Sequence, residues 1–187
     1  MPSESIRVLA IAASLRLDSC NGHLADALVI RAPADLRITV YRELAAVPLF
    51  NEDLEGDGGP QAVQHLRAAV AAADALLIVT PEYNQSMPAV AKNVVDWLSR
   101  GNPDVLSGRP AGILGATRGP WGTRLSQAAL RHTLAACEAL VMPTPQVYVR
   151  NAAEVFAADG TLSDERTDAS VRRFLLAFQH WVVRLRR

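Results

Sequence analysis

The sequence predicts an α/β fold in which a doubly wound, five-stranded parallel sheet carries helices on both faces. Three observations carry this. Ile6 to Ala12 and Ala75-Leu76-Leu77-Ile78-Val79-Thr80 are apolar runs without alternation, as strands covered on both faces are. Each run stops at a polar loop, and beyond the loop apolar residues return at helical spacing. Strand, loop and helix then alternate along the chain, with no internal repeat or low-complexity tract.

A short polar tail precedes the Ile6 to Ala12 strand. The loop Ala13 to Asn21 leads into a helix of roughly Gly22 to Arg31, with Leu24, Ala25, Ala27 and Leu28 on its apolar face. Leu36 to Tyr41 alternates, Leu36, Ile38 and Val40 against Arg37, Thr39 and Tyr41, as a strand nearer the sheet edge does. Arg42 to Pro60 contains Pro48, Asp53, Glu55, Asp57 and a Gly-Gly-Pro ending, which makes it a long acidic loop. Gln61 to Ala73 has helical spacing and packs before the central strand, Ala75 to Thr80. Pro81 fixes its own φ and holds Thr80 extended, so Glu82 to Ser86 form a loop at the carboxyl edge of the sheet.

After Pro88, the residues Val90, Ala91, Val94, Trp97 and Leu98 form one helical face opposite Lys92, Asp96 and Arg100. Gly101-Asn102-Pro103 ends that helix. Ala111 to Ala116 is the fourth strand, Leu125 to Ala136 a helix and Val147 to Val149 a short last strand. Asn151 to Asp164 is a loop with an Asp159-Gly160 turn, and Ser163 to Arg187 closes the fold as an amphipathic helix. The strand order expected for such a chain is 2-1-3-4-5.

At 187 residues, half of them apolar, the chain fits one domain, residues 1–187, with a sizeable core. Lys plus Arg and Asp plus Glu both number 19, so no global charge draws the protein to nucleic acid or to an anionic membrane. Two cysteines, Cys20 and Cys137, without a CxxC or a secretory signal, fit a reduced, cytoplasmic setting. No G-x-S-x-G, HExxH, Walker loop or G-x-G-x-x-G is present, and His23, His65, His132 and His180 are scattered. Hydrolase, metal and separate dinucleotide-site readings have no support.

Ligands of open α/β sheets sit beyond the carboxyl ends of the strands, where three loops of this chain converge. Ala13 to Asn21 offers a helix amino terminus with Ser14, Ser19 and Asn21 as neutral donors and Arg16 as a cationic one, which suits a dianion. Taken alone, the same residues also fit a simple N-cap by Asp18 or Ser19 with a solvated Arg16. The loop Pro81 to Ser86 and the glycine-rich Thr117-Arg118-Gly119-Pro120-Trp121-Gly122-Thr123 lie beside it, the latter open also to reading as a plain βα turn.

PEYNQSMPAVAKNVVDW resembles the PEYN-x-S-x-P-x-x-x-K-N-x-x-D-W signature of the NADPH-dependent FMN reductases, flavodoxin-like enzymes that include quinone, chromate and azo-dye reductases. ASLRLDSCN resembles that family's GS-[LM]-R-x-x-S-x-N phosphate loop, with Ala13 in place of its leading glycine. Asp18, an acid beside a dianion, is expected to turn away and cap. Pro120-Trp121 stands where family members often carry a plain glycine run. The resemblance implies that Ser14, Arg16, Ser19 and Asn21 hold the FMN phosphate, and that Pro81, Glu82, Tyr83 and Asn84 line the ring with Thr117, Arg118 and Gly119. It implies hydride transfer from NADPH or NADH to FMN and on to a small-molecule acceptor (quinone, flavin, chromate or azo compound) by a ping-pong route. No side-chain nucleophile is needed. It also implies a homodimer or homotetramer, with the Ala89 to Ser99 helix and Trp97 among the contacts. A flavodoxin-type electron carrier and a flavin-free interaction protein are the alternatives.

Overall fold

The computed structural model describes residues 5–101 and 103–186; the N-terminal tail before Ser5, Asn102 and Arg187 lie outside the described residues. The strands are β1 (Ile6–Ala12), β2 (Leu36–Tyr41), β3 (Ala75–Val79), β4 (Pro110–Ala116), β5 (Leu140–Val141) and β6 (Val147–Val149). The helices are α1 (Cys20–Arg31), α2 (Gln61–Ala72), α3 (Ala89–Leu98), α4 (Arg124–Ala136), α5 (Ala152–Val155) and α6 (Glu165–Leu185). All the strand pairs are parallel, in the order β2-β1-β3-β4-β5, and β6 also pairs with β4. This is the flavodoxin-like order that the sequence predicts.

The period-two geometry of the strands sorts the core into two layers. Ile6, Val8 and Ala10 of β1, with Leu77, Val79 and Leu114, face α1 and α6, whose Leu24, Leu28, Phe174 and Phe178 cover them. Leu9, Ile11, Leu76, Ile78 and Ile113 face α2, α3 and α4, through Leu66, Val70, Val94, Leu98, Leu130 and Leu134. β3 is buried along its whole length, which is why its sequence shows no alternation.

The fifth strand position is shared. β5 pairs with the first residues of β4 and β6 with its last, Leu114↔Val147 to Ala116↔Val149. Met142 to Gln146 run between them, with two prolines that cannot donate to a ladder. Arg131 of α4 braces this break by donating to Met142 O at 2.7 Å, and burial pulls its pKa down against the opposing influence of Tyr148. The 151–164 segment is also more ordered than a plain loop: Asn151, at φ 47°, opens the single-turn α5, and Phe156 bridges Leu162.

Trp97 packs inside its own chain. It is 2% exposed, its Nε1 donates to Pro48 O at 2.8 Å, and Phe50 meets it edge-on with centroids 4.9 Å apart. Asn93 holds the same loop, accepting from Phe50 N at 2.7 Å and donating to Pro48 O at 2.9 Å. These two side chains of α3 therefore anchor the long 42–60 loop from within the chain.

Candidate FMN site

β1, β3 and β4 end at one level, and the loops that leave them meet over the sheet's carboxyl edge. After β1 the chain turns sharply, Ala13 N donating to Val79 O and Ser14 N to Ala12 O, both at 2.8 Å. Ala13 is 1% exposed and is not among the residues with positive φ. Its methyl packs in the core, so the glycine that resembling proteins carry here is not required for a left-handed turn. Ser19 caps α1, its Oγ accepting from Asn21 N at 3.2 Å, and no acid lies in the first helical turn. Asp18 does turn away, but it pairs with His23 at 3.3 Å instead of capping. The positive end of α1 is thus left open to an anion, with Ser14 and Arg16 beside it.

Asn21 also has a structural task. Its amide donates to Ala116 O and accepts from Ala116 N, both at 2.9 Å, and the side chain is buried. With Oδ1 and one Nδ2 hydrogen committed to backbone, it ties this loop to the end of β4, and the second Nδ2 hydrogen is left for a ligand of the cavity that it lines.

The loop after β3 is a tight hairpin. Tyr83 N donates to Ser86 O at 3.1 Å and Ser86 N to Tyr83 O at 3.0 Å, with Asn84 and Gln85 at φ 48° and 62°. Two consecutive positive φ values define the primed turns that asparagine tolerates best among residues with a side chain. Tyr83 stands 51% exposed at its base. The Glu82 carboxylate accepts through Oε2 from Leu125 N at 2.8 Å and Ser126 N at 3.0 Å, capping α4 from outside its own segment. The backbone of Glu82 and its second carboxylate oxygen are left to line a ligand. Below it, Thr80 Oγ1 donates to Pro81 O and lies within 2.9 Å of Ser126 Oγ, which joins the same two elements again.

The loop after β4 is held from the β6 side: Thr117 N donates to Val149 O at 3.0 Å, Ala152 N to Thr117 O at 3.0 Å and Asn151 N to Gly119 O at 3.2 Å. Gln127, buried in α4, reaches Thr123 Oγ1 and Val147 O at 2.9 and 2.8 Å. Gly115 permits the convergence of these loops. A Cβ there would lie 2.1 Å from Thr80 O and 2.4 Å from Thr123 Oγ1, closer than atoms can pack.

The three loops enclose a cavity of about 170 Å³ lined by Ser14, Arg16, Ser19, Cys20, Asn21, Pro81, Glu82, Tyr83, Ala116, Thr117 and Arg118. Every residue expected to bind the cofactor lines it except Asn84, at the hairpin tip, and Gly119, one residue further along its loop. Cys20 and Ala116 are the additions that the sequence reading had not assigned. A helix amino terminus without acids, two hydroxyls, an arginine and two loop backbones at the mouth are a donor set that fits a phosphate attached to a flat, polar-edged ring. A larger cleft of about 570 Å³ lies between β6, α5 and the start of α6. It is open and lined by opposed charges such as Arg150, Glu154, Asp164 and Arg166, and the helix that starts there, α6, carries the acids Glu165 and Asp168 in its first turn, so the smaller cavity is the better anion site.

The sequence profile of "NADPH-dependent FMN reductase" matches residues 6–154. An NAD(P)H-dependent FMN reductase of Pseudomonas aeruginosa is 40% identical over 184 residues, covering 98% of this chain and 99% of that protein. A quinone reductase of Escherichia coli is 34% identical, covering 98% and 99%. The solved structure of FerB, a flavoenzyme NAD(P)H:(acceptor) oxidoreductase of Paracoccus denitrificans, superposes with a TM-score of 0.87 at 34% identity, covering 96% of this chain and 98% of that one. The chain therefore belongs to the NADPH-dependent FMN reductase family, as an oxidoreductase that uses FMN and NAD(P)H.

Proposed function

We propose that FMN binds in the three-loop cavity and that the enzyme passes a hydride from NAD(P)H through it to a quinone-type acceptor. The observation that carries this is the meeting of Ser14, Arg16 and Ser19 at the α1 amino terminus with the Pro81–Tyr83 and Thr117–Arg118 loops around one cavity. When bound, FMN supplies the two-electron chemistry. Ser14, Ser19, Arg16 and the first N–H groups of α1 take the phosphate. Asn21 fixes the spacing between the phosphate end and the ring end, and the backbones of Pro81 to Asn84 and Thr117 to Gly119 line the ring. Glu82 is held against the α4 amides through one carboxylate oxygen, Oε2, which fixes the loop beside the ring. The relatives named quinone reductase and 2-hydroxy-1,4-benzoquinone reductase support the acceptor class.

Residues 1–187 form a single FMN-binding domain in this reading, and the active form is a cytoplasmic homodimer or homotetramer. Among the described residues no helix is long and apolar enough to cross a membrane. The test is reconstitution with excess FMN, desalting and anaerobic addition of NADPH, which should leave a flavin spectrum that then bleaches. Arg16→Ala should weaken FMN retention about tenfold or more, the order of one lost charge-assisted contact to a phosphate. An unchanged dissociation constant in that variant would remove Arg16 from the site, and a spectrum that NADPH and NADH both fail to bleach would leave a carrier.

A further inference from the structure

We propose that Trp121 and Leu125 wall a subsite for the flat ring of a quinone-class acceptor, with Arg124 as the charge that its oxygens meet. The proposal rests on the assignment of FMN to the adjoining three-loop cavity. Trp121 is 77% exposed and Leu125 48% exposed, side by side at the start of α4. No aromatic ring packs on the indole among the described residues. Large apolar groups left open in this way mark binding surfaces more often than packing accidents.

The exposure is not the result of a slack loop. The segment is tied by the Thr117, Gly119, Asn151 and Ala152 backbone bonds already described. Gly122 then turns at φ 74°, so close to β6 that a Cβ would lie 2.9 Å from Tyr148 Cβ. The fold therefore presents the indole on a fixed stem.

A second cavity, about 330 Å³ and mainly apolar, is lined by Trp121, Leu125, Gln85, Glu82 and Arg124. That size admits a one- or two-ring molecule. Glu82 lines this cavity and the cofactor cavity alike, so the two abut. The Glu82 carboxylate is held through Oε2 by two α4 amides, while the exposed Arg124 guanidinium has no ion pair or side-chain hydrogen bond among the described residues and is the positive charge free to meet a ligand here.

Charge decides between the two flat rings that such an enzyme meets. A quinone gains one hydride, two electrons and a proton from the reduced cofactor, and its oxygen carries negative charge until a proton from water completes the hydroquinone. Nicotinamide gives up the hydride and becomes positive. A guanidinium beside the ring favours the first and opposes the second.

Trp121→Ala and Trp121→Phe test this in the FMN-loaded enzyme. With 2-methyl-1,4-naphthoquinone and hexacyanoferrate(III) as acceptors, the ratio of the two kcat/KM values should fall about fivefold in Trp121→Ala and return most of the way in Trp121→Phe, as expected for a stacking contact. Titration calorimetry of the quinone into the oxidised, FMN-loaded protein should show the same loss of affinity. An unchanged ratio overturns the proposal. So does loss of FMN retention, which would make Trp121 part of the cofactor site, or slower flavin bleaching by NADPH, which would make it a nicotinamide wall. If the wild-type protein itself retains no FMN, the underlying assignment fails before any variant is made, and the proposal fails with it.

Discussion

The two ends of the sheet are held together by different chemistry. At the carboxyl end, buried neutral side chains and one capped carboxylate join segments far apart in sequence: Asn21 to Ala116, Thr80 to Ser126, Gln127 to Val147 and Glu82 to the start of α4. At the amino end the links are charged and more open. Asp74 accepts from Arg7 N at 2.7 Å, pairs with the Arg7 guanidinium at 3.1 Å and with Arg186 at 2.8 Å, while Arg109 donates to Ala73 O. The Arg7 side chain is 63% exposed. Water competes for such pairs, whereas it has no access to the amide of Asn21. The end that must hold a ligand has therefore been made rigid mainly with bonds between neutral groups, which do not depend on salt or pH, the Glu82 cap apart, and its exposed groups are left for binding.

That contrast is broken most severely at Gly115. Thr80 O, the atom that a Cβ would strike, is backbone and cannot rotate aside. Gly115→Ala should cost about 3 kcal/mol or more, since overpacking here displaces two loops at once. It should lower the melting temperature by about 6–12 °C in a chain of this size, and FMN retention should go with it. A melting temperature within about 2 °C of wild type would show that the loops have slack and that the carboxyl end is not the rigid partner.

Asn21→Ala comes next. It leaves the N–H and C=O of Ala116 buried without partners, which costs about 2 kcal/mol, read as a shift in the urea midpoint at unchanged slope. Asn21→Asp sharpens the test, because a carboxylate still accepts from Ala116 N but offers no hydrogen to Ala116 O. It should be at least as damaging. A harmless Asn21→Asp would mean that only the bond from Ala116 N matters.

The sequence located these loops but not these bonds. Unbroken apolar runs, Pro81 and the glycines after β4 mark strand ends by backbone chemistry alone, so β1, β2 and β6 were legible to the residue. What a polar side chain does at the mouth depends on which backbone reaches it. Asn21 and Ala116 are 95 residues apart, and Glu82 and Leu125 are 43 apart. A local motif points to Asn21 and Glu82 as residues of the loop cavity; it cannot show which backbone groups they also hold. β5 was missed for a different reason, since two residues carry no period. α1 starts at Cys20 and not near Gly22 because Ser19 caps it and Gly22 fits the first turn without strain, its nearest neighbour being Ser19 Cβ at 3.8 Å.

The smallest effect belongs to the amino end. Burial pushes the Asp74 carboxyl up, but the hydrogen bonds from Arg7 and the charges of Arg186 and Arg7 together outweigh it, so its pKa lies below the ordinary 3.8. A carboxyl whose folded pKa is depressed stabilises the fold fully above its unfolded value, and that contribution disappears as the pH falls through the folded value. Asp168, held down by Arg172 and Arg31, follows the same direction, so acid sensitivity of the whole protein does not isolate Asp74. The difference between wild type and Asp74→Asn does, because the amide oxygen can still accept from Arg7 N while the charge is gone. At pH 7 that difference should be below about 1 kcal/mol, the usual worth of exposed pairs, and should shrink further in high salt. It should vanish as the pH is lowered from about 5 to below the folded pKa, since both side chains are then neutral. A loss at pH 7 as large as that of Asn21→Ala would place the same structural weight on both ends of the sheet, and the contrast between buried amide and exposed ion pair would not explain how this fold keeps its site in shape.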